Sequence, residues 1–163
     1  MRDPAYVPLA ARGDALTRAP QPVVPYDLTM DAPAFTAAIR VRVFGALKAW
    51  AKGDGEAMLA SLDSRPAAPD GAEGADAATA AEVGAAFETF AAEHGGLRVD
   101  PEARNLRHTH VTRPPGEPRW LVQQVLVDAN DLNDWMAEFE VDVEASRARQ
   151  QPVLWLRRVG PVA

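Results

Sequence analysis

RWLVQQVLVDANDLNDWMAEFEVDVEASRARQQPVLWLRRV, residues 119–159, holds three segments of strand composition separated by polar breaks. In the middle one, residues 135–142, apolar Trp135, Ala137, Phe139 and Val141 alternate with Met136, Glu138, Glu140 and Asp142. A period of two means one buried and one wet face of a sheet. Residues 119–128 are apolar on both faces apart from Gln123 and Gln124, so this strand is expected in the sheet interior. Residues 153–159 supply another strand, and the polar connection 143–151 has room for a helical turn. Working upstream, residues 106–113 read as a strand, and the PPGEP loop 114–118 closes a hairpin. Residues 97–99 are a short extended piece ended by a turn at Asp100 and Pro101.

Upstream of the strands the period changes to that of a helix. Asp31 is a good N-cap with Pro33 in the first turn. Phe35, Ile39, Val43, Leu47 and Trp50 come next at spacings of three and four, and Gly53 ends the run. Asp54 then caps a second helix over 55–62 that buries Met58, Leu59 and Leu62. A third helix over 79–94 buries Val83, Phe87, Phe90 and Ala91 before Gly95 and Gly96. Trp120 and Phe44 both fall on the apolar side of their elements. Helices first and strands afterwards argue for an α+β fold. The expectation is N-terminal helices packed on a bent antiparallel sheet of about four strands. Residues 1–30, with Pro4, Pro8, Pro20, Pro22 and Pro25, read as an extended arm, and 31–163 as one α+β domain. Residues 65–78, low in complexity, read as a mobile loop in that domain.

Composition narrows the chemistry. The 163 residues are 47% apolar and 25% charged, ordinary for a globular protein, and include no cysteine. Thiol catalysis and thiolate metal sites are therefore excluded. The net charge of −6 opposes a polyanion, so direct nucleic-acid binding is expected to be weak or absent. There is no membrane-length apolar run and no apolar signal core, which places the chain in the cytoplasm. It also lacks a GxxxxGK[ST] loop, a GxSxG elbow and an HExxH pair. No nucleotide-binding or hydrolase motif is present, so no enzyme is implied by this polypeptide alone.

The residues that could carry chemistry are few. His108 and His110, two apart on an expected strand, would share a face and could join a metal site or pair with Asp128 as a general base. The bland alternatives are ordinary strand histidines and a turn aspartate. The only other histidine, His94, ends a helix. Glu138, Glu140 and Asp142 could hold a divalent cation, or form a solvated face paired with Arg158 or Arg113. Arg157 and Arg158 beside Trp155 could meet RNA by charge and stacking, although Trp120, Trp135 and Trp155 also suit a core. On balance no catalytic, cofactor-binding or metal residue is assigned; His108, His110 and Asp128 are the weak catalytic candidates.

Two resemblances bear on function. The run VRVFGALKAWAKGDGEAMLASLD, helix–Gly–Asp–helix, is similar to the opening of nuclear-transport-factor-2-like and polyketide-cyclase-like (SnoaL-like) cone folds. Three clusters, residues 30–54, 90–104 and 120–159, together resemble a domain of unknown function. That domain lies at the C-terminus of bacterial superfamily II DEAD/DEAH-box helicases of the Ski2-like branch. Phe35, Arg40 and Phe44 fill its F-x-x-x-x-R-x-x-x-F helix. Glu93, His94, Asp100, Pro101, Ala103 and Arg104 fill its EH…DPxAR element. Trp120, Val122, Gln124 and Asp128, then Asp134, Trp135, Val141, Asp142, Ser146 and Arg147, fill its closing pattern. This second resemblance implies a non-catalytic docking or regulatory module that partners a helicase motor or its nucleic-acid complex. The related full-length proteins would be ATP-dependent helicases, whose motor domains are not in this chain. The first implies a stand-alone pocket protein that binds or isomerises a small molecule. A homodimer through the outer sheet face is a further expectation by analogy.

Overall fold

Asp31 starts the helical layer. Its carboxylate accepts the Ala34 N–H at 3.3 Å, and helix α1 runs Ala32–Ala51 with proline in its first turn. Phe35, Ile39, Val43, Phe44, Ala46, Leu47 and Trp50 form the buried stripe. Gly53, at φ 83°, turns the chain, and Asp54 caps α2, Gly55–Ala60, by accepting the Ala57 N–H at 2.9 Å. This helix stops short of the expected Leu62: the Ser61 hydroxyl donates to the Met58 carbonyl at 2.7 Å and closes the last turn. Leu62 is nevertheless buried. Helix α3, Ala80–His94, opens on a capping box between Thr79 and Glu82 and ends at Gly95 in the left-handed region.

The coordinates are a computed structural model that describes residues 24–66 and 77–162. The remainder of the expected arm, 1–23, and of the expected loop, 67–76, lies outside the described residues. The sheet consists of β1 (Thr109–Thr112), β2 (Arg119–Leu126), β3 (Trp135–Asp142) and β4 (Leu154–Pro161). Their order is β1-β2-β3-β4, antiparallel throughout. The fold is thus α+β with an open four-stranded sheet. β2 lies inside it, between β1 and β3, as its two apolar faces require. Helix α4, Val143–Arg149, occupies the β3–β4 connection, capped by Asp142 through the Ala145 N–H at 3.0 Å.

Two strand boundaries need correction. The strand expected over 106–113 begins only at Thr109, because the Asn105 side chain accepts the Arg107 N–H and folds Leu106–His108 into a 3-10 turn. The strand expected to reach Asp128 ends at Leu126; Asp128 instead bridges to Leu97.

The α1 stripe packs with Met58, Val83 and Phe90 onto the inner sheet face of Val122, Leu126, Ala137, Phe139, Val141, Leu154 and Leu156. Each large side chain buried there contributes roughly 1.5–3 kcal/mol relative to exposure. Trp50 Nε1 donates to the Val83 carbonyl at 3.1 Å and locks α1 to α3 inside this layer. Trp120, expected in the core, is half-buried at its rim, edge-on to Phe35 at 5.3 Å. No helix among the described residues is long and apolar enough to cross a membrane.

Candidate functional site

Asp128 is fully buried just beyond β2. Its carboxylate accepts three backbone N–H groups, from Asn130 at 2.8 Å, Leu132 at 3.1 Å and Asn133 at 2.8 Å. These bonds hold a tight loop in which Asp131 and Asn133 are left-handed, at φ 57° and 51°. Asp and Asn tolerate that conformation better than other residues with a side chain. Burial pushes the carboxyl pKa up, but the three N–H groups and the nearby His94 more than offset it. Asp128 therefore ionises below the ordinary carboxylate range.

His94 closes α3 against this loop. Its ring is 2% exposed, stacked on Phe90 at 4.7 Å and edge-on to Trp135 at 5.7 Å. Nε2 lies 2.6 Å from Asp134 Oδ1, and Nδ1 has no hydrogen-bond partner. Backbone bonds complete the junction, from Ala129 N–H to the Gly96 carbonyl at 3.0 Å and from Arg98 N–H to the Val127 carbonyl at 2.8 Å. Ligating atoms of His94, Asp128 and Asp134 lie within 4.8 Å of one another. Asp128 already accepts three amides, and Asp134 already faces the imidazole through Oδ1. The two surface hollows beside α1 do not reach the ring. The arrangement fastens the end of α3 to the β2–β3 loop.

The structure thus forms a His–Asp pair from His94 and Asp134, with Asp128 beside it, and does not bring His108 or His110 to Asp128 by any hydrogen bond or ion pair among the described residues. His108 ends the 3-10 turn, half-buried, with Nε2 3.7 Å from Glu102. His110 is an exposed residue of β1 opposite Gln123. The two histidines therefore do not share a strand face. Sequence reading noted His94 only as a helix end, since nothing local to it points to the distant DANDLND loop, residues 128–134.

The carboxylates of β3 are paired. Glu138 accepts from Arg158 at 3.4 Å and Gln123 at 3.1 Å, while Arg119 stands 3.4 Å from Glu140 and 3.7 Å from Asp142. Arg113 instead stacks on Trp120 at 4.7 Å. Trp155 is 2% exposed, donates Nε1 to Glu140 at 3.1 Å and lies under Arg119 at 4.9 Å, so it offers no free face for a base.

A broad concavity lies elsewhere, along the outward side of α1. Arg40, Val41, Phe44 and Lys48 face Pro101 and Arg104 across an open groove of about 650 Å³. It continues past Ala37 and Arg40 into a hollow of about 420 Å³ that adds Leu106 and Arg113. Arg40 fixes the floor, its Nε donating to Thr109 Oγ1 at 3.1 Å and its Nη2 to the Arg104 carbonyl. Neither lining contains a carboxylate. Sequence reading passed over this surface because the outward residues of an amphipathic helix look like plain solvated positions.

The fold and these sites define a class: an α+β domain whose buried polar groups serve as fasteners and which carries an open, cation-lined groove beside α1. The chain belongs to the family described as Domain of unknown function (DUF3516), whose family model matches residues 5–159. No curated protein matches it, and no solved structure does.

Proposed function

We propose that this chain is a non-catalytic accessory domain that docks on a partner, in the manner of the C-terminal domain of a bacterial Ski2-like DEAD/DEAH-box helicase. The motor, or its complex with nucleic acid, is the partner that the resemblance names. The observation that carries the docking reading is the contrast between interior and surface. The space between helices and sheet is filled by Phe35, Trp50, Phe90, Phe139 and their neighbours. The broad concavity beside α1 is instead an open groove that displays Val41, 73% exposed, beside cations with no ion-pair partner among the described residues. A cone-shaped pocket protein would need an open interior lined by convergent polar groups.

The test uses the motor domains of a bacterial Ski2-like helicase from which the C-terminal domain of this family has been deleted. Added in trans, the full chain is expected to co-elute with the motor on size exclusion and to change its RNA-stimulated ATP turnover. Separate elution together with unchanged turnover overturns the proposal.

A further inference from the structure

We propose that the groove along α1 seats an acidic amphipathic helix of a partner protein. This assignment rests on the docking reading and names the chemistry of its partner. Charge supports it first. The chain carries −6 overall, and Arg42, Arg98, Arg119, Arg147 and Arg158 each stand against a carboxylate. Lys48, Arg104 and Arg113 are exposed and have no carboxylate within ion-pair distance among the described residues. They line the groove and the hollow that continues it, whereas Lys52 and Arg157, also without an ion pair among the described residues, lie outside both linings. In an acidic protein, cations left without internal partners on one concave surface complement an anionic occupant.

The lining between those cations is apolar. Val41 and Leu106 are 73% and 60% exposed, with Ala37 between the two hollows. An occupant that satisfies both features carries carboxylates along its edges and aliphatic side chains on one face. The run from Pro33 to Lys48 along α1 spans roughly 22 Å at the helical rise, the length of about four turns of a partner helix. Such helix-in-groove docking is read by anchors at i, i+3, i+4 and i+7.

Single-stranded RNA fits less well. A sequence-tolerant RNA surface stacks bases on exposed aromatic faces. The sole aromatic in the groove lining is Phe44, which is 8% exposed and carries Arg40 over its ring at 5.5 Å.

The probe is a fluorescein-labelled peptide of about 15 residues, built from Glu and Leu with leucines at i, i+3, i+4 and i+7. A scrambled peptide of the same composition and a labelled oligouridine of the same length are the controls. Fluorescence anisotropy with the full chain is expected to show saturable binding of the patterned peptide, at least about tenfold tighter than either control. Val41→Asp with Leu106→Asp, and separately Lys48→Glu with Arg104→Glu, should each weaken it by about tenfold or more, with melting temperatures near that of the wild type. No saturable binding up to about 1 mM, equal binding of the scrambled peptide, or tighter binding of the oligouridine overturns the assignment. Undiminished binding by either folded double variant also overturns it. Peptide binding as described without capture of the helicase motor removes the motor as partner and leaves the groove assigned. Motor capture that survives both double variants removes the groove and leaves the docking reading.

Discussion

Asp128 accepts three amide donors in a site closed to water. Replacing it by alanine strands those donors and is expected to cost about 3 kcal/mol, since each unsatisfied buried donor costs about 1–3 kcal/mol and the loop relaxes in part. Urea unfolding at pH 7 measures this. Asp128→Asn is the finer probe, because its amide NH₂ points a donor at backbone donors. The direction of the shift sets the sign of the pH dependence. The folded carboxyl ionises below its unfolded value of about 3.9, so its stabilisation is complete above that value and drains as the pH falls through the folded pKa. The stability gap between wild type and Asp128→Asn should be full at pH 7 and narrow below about pH 4 as the acid form gains a donor of its own. A gap that does not change with pH would assign the cost to shape alone. A strand-end aspartate as a turn residue was legible in the sequence. Its neighbour His94 was not, because 34 positions separate them and no local period links a helix end to a loop.

Helices were the more legible elements, since stripe and cap are both local. Thr79 and Glu82 form a reciprocal capping box, so Thr79→Ala should lower stability by about 1 kcal/mol, read as a shifted urea midpoint at unchanged slope. On α1, Phe35 is wholly buried against Trp120, and Phe35→Ala should cost about 3–5 kcal/mol. Trp120→Ala should cost clearly less, because one side of its ring meets the solvated Arg113 guanidinium and not the core. Equal losses for the two variants would mean that the rim position of Trp120 is wrong. Strand composition located the sheet but not its ends. At Leu106–His108 the local bond from Asn105 overrides the β propensity of the segment, and beyond Leu126 the Asp128 cage does the same. The groove was illegible for another reason. Its walls come from α1 and from residues 101–113, brought together only when α1 packs on the sheet.

At the scale of the molecule, the glycine-rich α1–α2 turn and the β3 carboxylates, which could suggest nucleotide chemistry, serve structure among the described residues. Phosphoryl transfer needs a cradle of backbone N–H groups, a lysine on the phosphates and a carboxylate holding a metal ion. The glycine-rich run GDGEAML, residues 53–59, is the turn between α1 and α2 and the start of α2. Asp54 already occupies the N-terminus of α2, its carboxylate accepting the Ala57 N–H at 2.9 Å where a phosphate would otherwise sit. The carboxylates of β3 are spent on Arg119 and Arg158 across the sheet. The purified chain should therefore release phosphate from ATP no faster than buffer, with magnesium and with or without RNA. When motor domains are added, all turnover should disappear on replacing the lysine of the motor's own phosphate loop. Hydrolysis that tracks this chain through purification, or that survives the motor substitution, would place a phosphate site outside these elements and overturn the expectation.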